Sequence, residues 1–217
     1  MNCIVTAGPT FEPLDEVRRL TNFSTGRLGT ELANFLTARG HKVTLLVGES
    51  APYSGERRAK TIKRFSTTAD LRAKLKALDG KKVDAIFHAA AVSDFGFGKI
   101  FAETRPGEFA ALKASKKIST RDGALLAELL PTTKIIAELR GWFPKTKIVG
   151  WKFSVDGGRA DALRAAKKQI ADCATDFCVA NGPAYGAGFG LVRAKGEAVH
   201  LANLPDLFKV LEKLAGK

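Results

Sequence analysis

Sulfur and histidine are scarce in this 217-residue chain, which holds three cysteines, one methionine and three histidines. Cys3, Cys173 and Cys178 are odd in number and form no C-x-x-C pair. That argues against a disulfide framework and a sequence-encoded zinc site, and assigns the thiols to the interior as small apolar groups. No apolar run reaches the roughly 18 to 20 residues of a membrane span. The N-terminus, M-N-C-I-V-T, enters a strand pattern at once, without the basic segment, apolar stretch and cleavage site of a secretion signal. A cytoplasmic location away from membranes is the expectation. Acidic residues are also in deficit: 22 Asp plus Glu against 35 Lys plus Arg leave a net charge of +13, which calls for anionic partners. Basic residues are scattered, with modest clusters at 57–64 and 113–117, and no nucleic-acid module accompanies them. A phosphorylated small substrate accounts for the charge, and a nucleic-acid partner is not expected.

Short runs rich in Val, Ile and Phe alternate with segments of helical period, the pattern of a parallel sheet with crossover helices. Strands are expected near 2–7, 42–47, 83–88, 147–152 and 176–180. Helices are expected from Leu28 to Gly40, from Leu71 to Gly80, over 125–139 and over 160–174. This order predicts one α/β domain over 1–217, a three-layer, Rossmann-like, doubly wound and mainly parallel sheet. Lys195-Gly196 reads as a two-residue hairpin turn at the sheet edge, followed by a closing helix over 204–214. The stretch 93–120 fits neither period, and its glycines and lysines predict a mobile flap able to close over an anion.

Ligands of open α/β sheets lie beyond the carboxyl ends of the strands. There the sequence places A-G-P-T and N-F-S-T-G-R-L-G (22–29), H-A-A-A-V-S-D-F (88–95), W-K-F-S (151–154) and A-N-G-P (180–183). Gly26 and Gly29 let main-chain N–H groups approach a phosphate at a helix start, with Ser24 and Thr25 as hydroxyl donors or as ordinary N-caps. Three alanines at a strand end let a flat ligand lie on the main chain, with Asp94 as the nearby carboxylate. Trp151 is placed either to stack on a base or to join the core.

Six blocks carry a resemblance: V-T-A-G-P-T (5–10), V-R-R-L-T-N-F-S-T-G-R (17–27), A-A-A-V-S-D-F (89–95), K-K-I-S (116–119), G-W-K-F-S (150–154) and V-A-N (179–181). In kind and order they resemble the phosphopantothenate–cysteine ligase family of coenzyme A biosynthesis. The resemblance implies a ligase that joins 4'-phosphopantothenate to L-cysteine through an acyl-nucleotidylate made from CTP or ATP, with Mg2+. It implies that Gly8, Ser24, Gly26, Gly29, Ala89, Lys117, Trp151, Lys168 and Asn181 meet the nucleotide, and that Arg18, Asn22, Ala90, Ala91 and Asp94 meet phosphopantothenate. Asn22 and Lys117 would be catalytic, with Lys116 the alternative flap lysine. A homodimer follows from the same likeness, with Arg18 crossing its interface. The chain begins at the synthetase block, so no flavin-binding decarboxylase and no FMN are expected on it.

The chain departs from the family at Pro9, where a glycine is usual, at Thr132-Thr133-Lys134, at Trp151 in place of Phe, and at Cys173 in place of a lysine. These leave CTP and ATP both open, and keep open a paralogue without activity. Two other classes were weighed. An NAD(P) oxidoreductase needs G-x-G-x-x-G after the first strand and a ribose reader after the second; only Glu49 stands there. A basic nucleic-acid module rests on net charge alone.

Overall fold

The computed structural model describes residues 1–112, 117–119 and 123–216. The chain runs β1 (Asn2–Ala7), β2 (Phe11–Pro13), β3 (Arg19–Thr21), α1 (Arg27–Ala38), β4 (Lys42–Gly48), β5 (Thr61–Phe65), α2 (Thr68–Lys76), β6 (Ala85–His88), β7 (Phe95–Arg105), β8 (Glu108–Ala111), β9 (Leu125–Pro131), α3 (Ile135–Trp142), β10 (Lys147–Phe153), α4 (Arg159–Cys173), β11 (Phe177–Asn181), β12 (Phe189–Arg193), β13 (Val199–Leu201) and α5 (Leu204–Ala215). The main sheet has the order β13-β12-β11-β10-β6-β1-β4-β5, and its pairs from β11 to β5 are parallel. From β1 the chain moves outward through β4 to β5, then returns to β6 on the other side of β1. The carboxyl ends of β1 and β6 therefore flank the switch point, where such sheets leave a crevice.

Both faces of the central strands are covered, so their sequences read as continuous apolar runs rather than alternation. Val5, Val43 and Phe87 face Leu32 and Leu36 of α1 and Leu207 and Leu211 of α5. Ile4, Leu46, Ile86 and Ile148 face Leu71 and Leu75 of α2 and Ile135 and Leu139 of α3. Ala162, Ala166 and Ile170 of α4 close over Cys178, Ala180 and Val192. All three cysteines are free and buried. Burial pushes the Cys3 thiol up to about 11 and the Cys178 thiol up to about 12, which keeps both protonated and inert.

Three expectations are corrected, and one strand of the main sheet had none. The segment 125–139 is not one helix. Leu125–Pro131 is strand β9, paired antiparallel with β7, and α3 begins only at Ile135. Leucine favours helix intrinsically, but pairing with an eleven-residue strand overrides that preference, and Pro131 cuts the pattern. The stretch 93–120 is largely not irregular: β7 and β8 join β9 in a three-stranded antiparallel sheet of order β8-β7-β9. Strand β5 was not foreseen, because an edge strand exposing Thr61, Ile62, Lys63 and Arg64 shows no apolar signature. The hairpin pairs Leu191 with Val199, which centres the turn on Lys195 and leaves five residues, 194–198, between the strands rather than two, with Gly196 at φ +92°. Gly40, at φ +83°, does end α1, with the His41 N–H returning to the Leu36 carbonyl at 3.1 Å.

Candidate functional site

At the switch point β1 and β6 run on past their formal ends as a shared ledge. The Ala91 N–H donates to the Gly8 carbonyl at 3.0 Å, and the Thr10 N–H donates to the Ala91 carbonyl at 3.1 Å. Pro9 lies between these two bonds in a parallel bridge with Ala91, so this side of the ladder needs no N–H from residue 9. Threonines beneath lock the ledge: Thr6 Oγ1 accepts from the Ala90 N–H at 3.0 Å, and Thr10 Oγ1 accepts from the Ser93 N–H at 2.8 Å. Thr21 Oγ1 donates to the Thr10 carbonyl at 2.9 Å, which draws the N-F-S-T-G loop onto the ledge.

Asn22 sits on the rim. Its Nδ2 donates to the Ala91 carbonyl at 3.2 Å and to the Val92 carbonyl at 3.3 Å. The amide group thereby spends its donors on the protein and presents Oδ1, an acceptor, to a ligand. Ala90, Ala91 and Asn22 are thus brought together on one ledge. Asp94 is exposed one turn further on, and its carbonyl accepts from the Thr132 N–H at 2.9 Å.

Gly8 and Gly26 both have left-handed backbone, φ +80° and +79°, and they touch: a Cβ on Gly26 would lie 3.2 Å from Gly8 Cα. Helix α1 starts at Gly26 with no side-chain cap, so neither Ser24 nor Thr25 is the cap residue. Thr25 Oγ1 accepts from the Arg27 N–H at 3.3 Å. The uncapped first turn keeps donors and the positive end of the helix dipole at the crevice. Gly29 does different work. It is buried in α1, and a Cβ there would stand 2.8 Å from the Thr6 carbonyl oxygen and 2.7 Å from Ala7 Cβ. Its missing side chain lets α1 close on β1, and a phosphate contact is not what requires it. Ala51, on the loop after β4, packs over Gly8 and Gly26 and had no sequence signal.

Arg18 turns inward within this chain. Asp15, whose side chain is 1 % exposed, accepts from Arg18 Nε at 3.0 Å, from Arg18 Nη2, and from the main-chain N–H groups of Val17, Arg18 and Ile118. Arg18 Nη2 also donates to the Ile118 carbonyl at 2.8 Å. The pair holds Ile118 by both its N–H and its carbonyl and so fixes the residue after Lys117. The Arg18 guanidinium and these N–H groups hold the Asp15 carboxyl far below the usual carboxylate range. Lys116 lies outside the described residues.

Trp151 and Asn181 stand at the carboxyl ends of β10 and β11, on the far side of β6 from the glycines. Trp151 leans on the Val5 side of the core, and its indole Nε1 is buried without a hydrogen-bond partner. A buried donor left open at a strand end fits a ligand acceptor. Lys168 is not brought to the crevice: it lies on the solvent side of α4, 77 % exposed, paired with Asp172 at 3.0 Å. Among the described residues, no three His, Cys, Asp or Glu side chains cluster to hold a metal ion.

Nothing in the sequence pattern marks His88 or Asp15 as a site residue, yet His88 meets the ledge through Thr6 and Asp15 holds Ile118, next to Lys117. Burial lowers the His88 pKa to about 4. Between the ordinary value of about 6.5 and about 4 the unfolded chain binds the extra proton, so stability should fall by about 3 kcal/mol as the pH drops through that window. The Asp15 contribution is present above its unfolded pKa and is lost as the pH falls further toward its depressed folded value. Urea unfolding across this range should show the first slope in the wild type and its absence in His88→Leu; equal slopes would contradict the assignment.

The sequence profile of the DNA/pantothenate metabolism flavoprotein C-terminal domain family matches residues 1–206. The chain is 34% identical over 181 residues to the coenzyme A biosynthesis bifunctional protein CoaBC of Thermococcus kodakarensis, covering 82% of this chain and 40% of that protein. The chain spans about half or less of the length of curated relatives that it matches. A crystal structure of the DNA/pantothenate metabolism flavoprotein from Streptococcus pneumoniae superposes with a TM-score of 0.84 at 24% identity, over 100% of this chain and 99% of that one. A Cab2 mutant in complex with phosphopantothenate-cysteine superposes at 0.69 with 20% identity, over 98% and 85%. With the ledge, the paired glycines and the uncapped helix at one switch point, and the profile matching nearly end to end, this chain belongs to the DNA/pantothenate metabolism flavoprotein C-terminal domain family.

Proposed function

We propose that this chain carries a phosphopantothenate–cysteine ligase activity that uses a nucleoside triphosphate. The observation that carries this reading is the meeting, at one crevice, of an anion-ready helix start with a side-chain-free ledge topped by an amide. The substrate carboxylate, lying along Ala89–Ala91, attacks the α-phosphate and releases pyrophosphate. The cysteine amine then attacks the acyl carbon of the nucleotidylate, loses a proton and expels the nucleoside monophosphate. Negative charge grows on the phosphate in the first step, where the Gly8–Gly26 backbone, the first turn of α1 and Lys117 supply the opposing field. Asn22 was expected to be catalytic. With its donors on Ala91 and Val92, it serves better as the acceptor that grips a substrate N–H or O–H while bracing the ledge. Trp151 Nε1 and Asn181 receive the base and ribose side. Mg2+ would be held mainly by the triphosphate and would supply positive charge to its oxygens.

An NAD(P) oxidoreductase fits less well, because the chain does not turn from β1 directly into a helix. It continues through Pro9 and the β2–β3 ribbon before α1 begins.

The test is release of pyrophosphate from CTP or ATP, with Mg2+ and L-cysteine, in the presence and absence of 4'-phosphopantothenate. Pantothenate-dependent release from one triphosphate is expected and identifies the nucleotide. No release from either would overturn the reading.

The same proposal includes a homodimer. Every residue of β9 is exposed at the edge of its sheet, with Leu126, Leu129 and Leu130 at 51 to 52 %, and Val17 and Phe23, on either side of β3, are exposed as well. A leucine-rich edge strand with neither face covered is a surface made for a second chain. Light scattering should give twice the chain mass for the wild type and a shift toward monomer for Leu129→Glu. A wild-type monomer at micromolar concentration would contradict the dimer.

A further inference from the structure

We infer that His88 is a positioning residue for the ledge: acting through Thr6, it fixes the Ala90 N–H and with it the main chain against which the carboxylate is activated. This rests on the ligase reading of the crevice.

His88 ends β6, facing Thr6 on β1 and Gly150 on β10 in the sheet register. A Cβ on Gly150 would meet Gln169 Nε2 at 2.5 Å and Ile136 Cδ1 at 2.7 Å, so the ends of those two side chains occupy the space above Gly150. The imidazole is buried, and its Nδ1 stands 3.0 Å from Thr6 Oγ1. That same oxygen accepts the Ala90 N–H at 3.0 Å. A threonine hydroxyl has a single proton. With one lone pair on the Ala90 N–H and Nδ1 the acceptor recorded within reach of the hydroxyl, the proton is assigned to Nδ1, which gives His88 the neutral Nε2–H tautomer. The low pKa that burial imposes keeps that form through neutral pH.

Ala91 is held by Gly8, Thr10 and Asn22, whereas the Ala90 N–H has Thr6 as its anchor. Without an acceptor at position 88, the buried Thr6 hydroxyl must turn to find another, and its hold on Ala90 loosens. Asparagine at 88 restores an acceptor at about the place of Nδ1; leucine does not.

The first test is the side-chain nitrogen spectrum of the wild type by long-range proton–nitrogen NMR. The Nε2–H tautomer is expected, and an Nδ1–H tautomer at His88 would overturn the relay. The second test is pantothenate-dependent pyrophosphate release by variants whose folding is checked by urea midpoint. His88→Leu and Thr6→Val should each lower kcat about 10-fold, a fraction of what a 1 Å misplacement costs. The double variant should lose no more than either single one, and His88→Asn and Thr6→Ser should recover most of the rate. Losses that multiply in the double variant, or a folded His88→Asn no better than His88→Leu, would overturn the inference. An inactive wild type would overturn the ligase reading and this role with it, while an active wild type with unaltered variants would overturn this role alone.

Discussion

Alanine at Gly29 is expected to destabilise the protein by about 2 kcal/mol, even though alanine is the better helix former. In an open helix the exchange stabilises by about 1 kcal/mol. Here the added methyl would sit 2.8 Å from the Thr6 carbonyl and 2.7 Å from Ala7 Cβ, both parts of a central strand that cannot yield. Overpacking of this kind costs about 3 kcal/mol and outweighs the gain. Gly141, near the end of α3, provides the contrast, because a Cβ there meets nothing within 4 Å. Gly141→Ala is therefore expected to stabilise, by about 0.5 kcal/mol. Urea unfolding of the two variants decides the point. Equal signs would mean that α1 is free to move away from β1, and that the close approach does not set the height of the helix start above the ledge.

Removal of the Asp15 carboxylate should be the most damaging single change to turnover outside the crevice itself. Asp15→Ala strips the acceptor from Arg18 and from three main-chain N–H groups, Ile118 included, and frees the residue that follows Lys117. Misplacing a charge-stabilising group by about 1 Å costs on the order of 100-fold in rate, and a loss of about that size in kcat for pyrophosphate release is expected. The nucleotide KM should change much less, since the glycines and α1 are untouched. Asp15→Asn keeps one acceptor oxygen but gives up the charge that holds Arg18, and should fall between. If Asp15→Ala were folded and retained full kcat, the clamp on Ile118 would have no part in catalysis.

Much of the architecture was legible because its causes are local. Continuous Val and Ile runs marked the buried parallel strands, Leu28, Leu32 and Leu36 marked the face of α1, and Gly40 marked its end. The A-A-A and N-F-S-T-G blocks were legible as strand-end segments. The small antiparallel sheet was not, because leucine in β9 carries no local mark of strand; its conformation is set by pairing with β7, distant in the chain. Edge strand β5 was hidden for the related reason that an exposed strand has no face to encode.

The sequence by itself determined the doubly wound order of elements and which segments reach the carboxyl edge of the sheet, since periodicity and glycine placement are properties of neighbouring residues. Only the tertiary structure decided what each side chain there does. Gly29 proved to be a packing residue because Thr6 lies against it, and Asn22 an exposed acceptor because Ala91 and Val92 take its donors. Lys168 was withdrawn to the solvent side of α4, and His88 was joined to the ledge through Thr6. Each of these outcomes depends on a partner far away in sequence, and hydrogen bonding and steric exclusion act only once folding has brought the partners within a few ångströms.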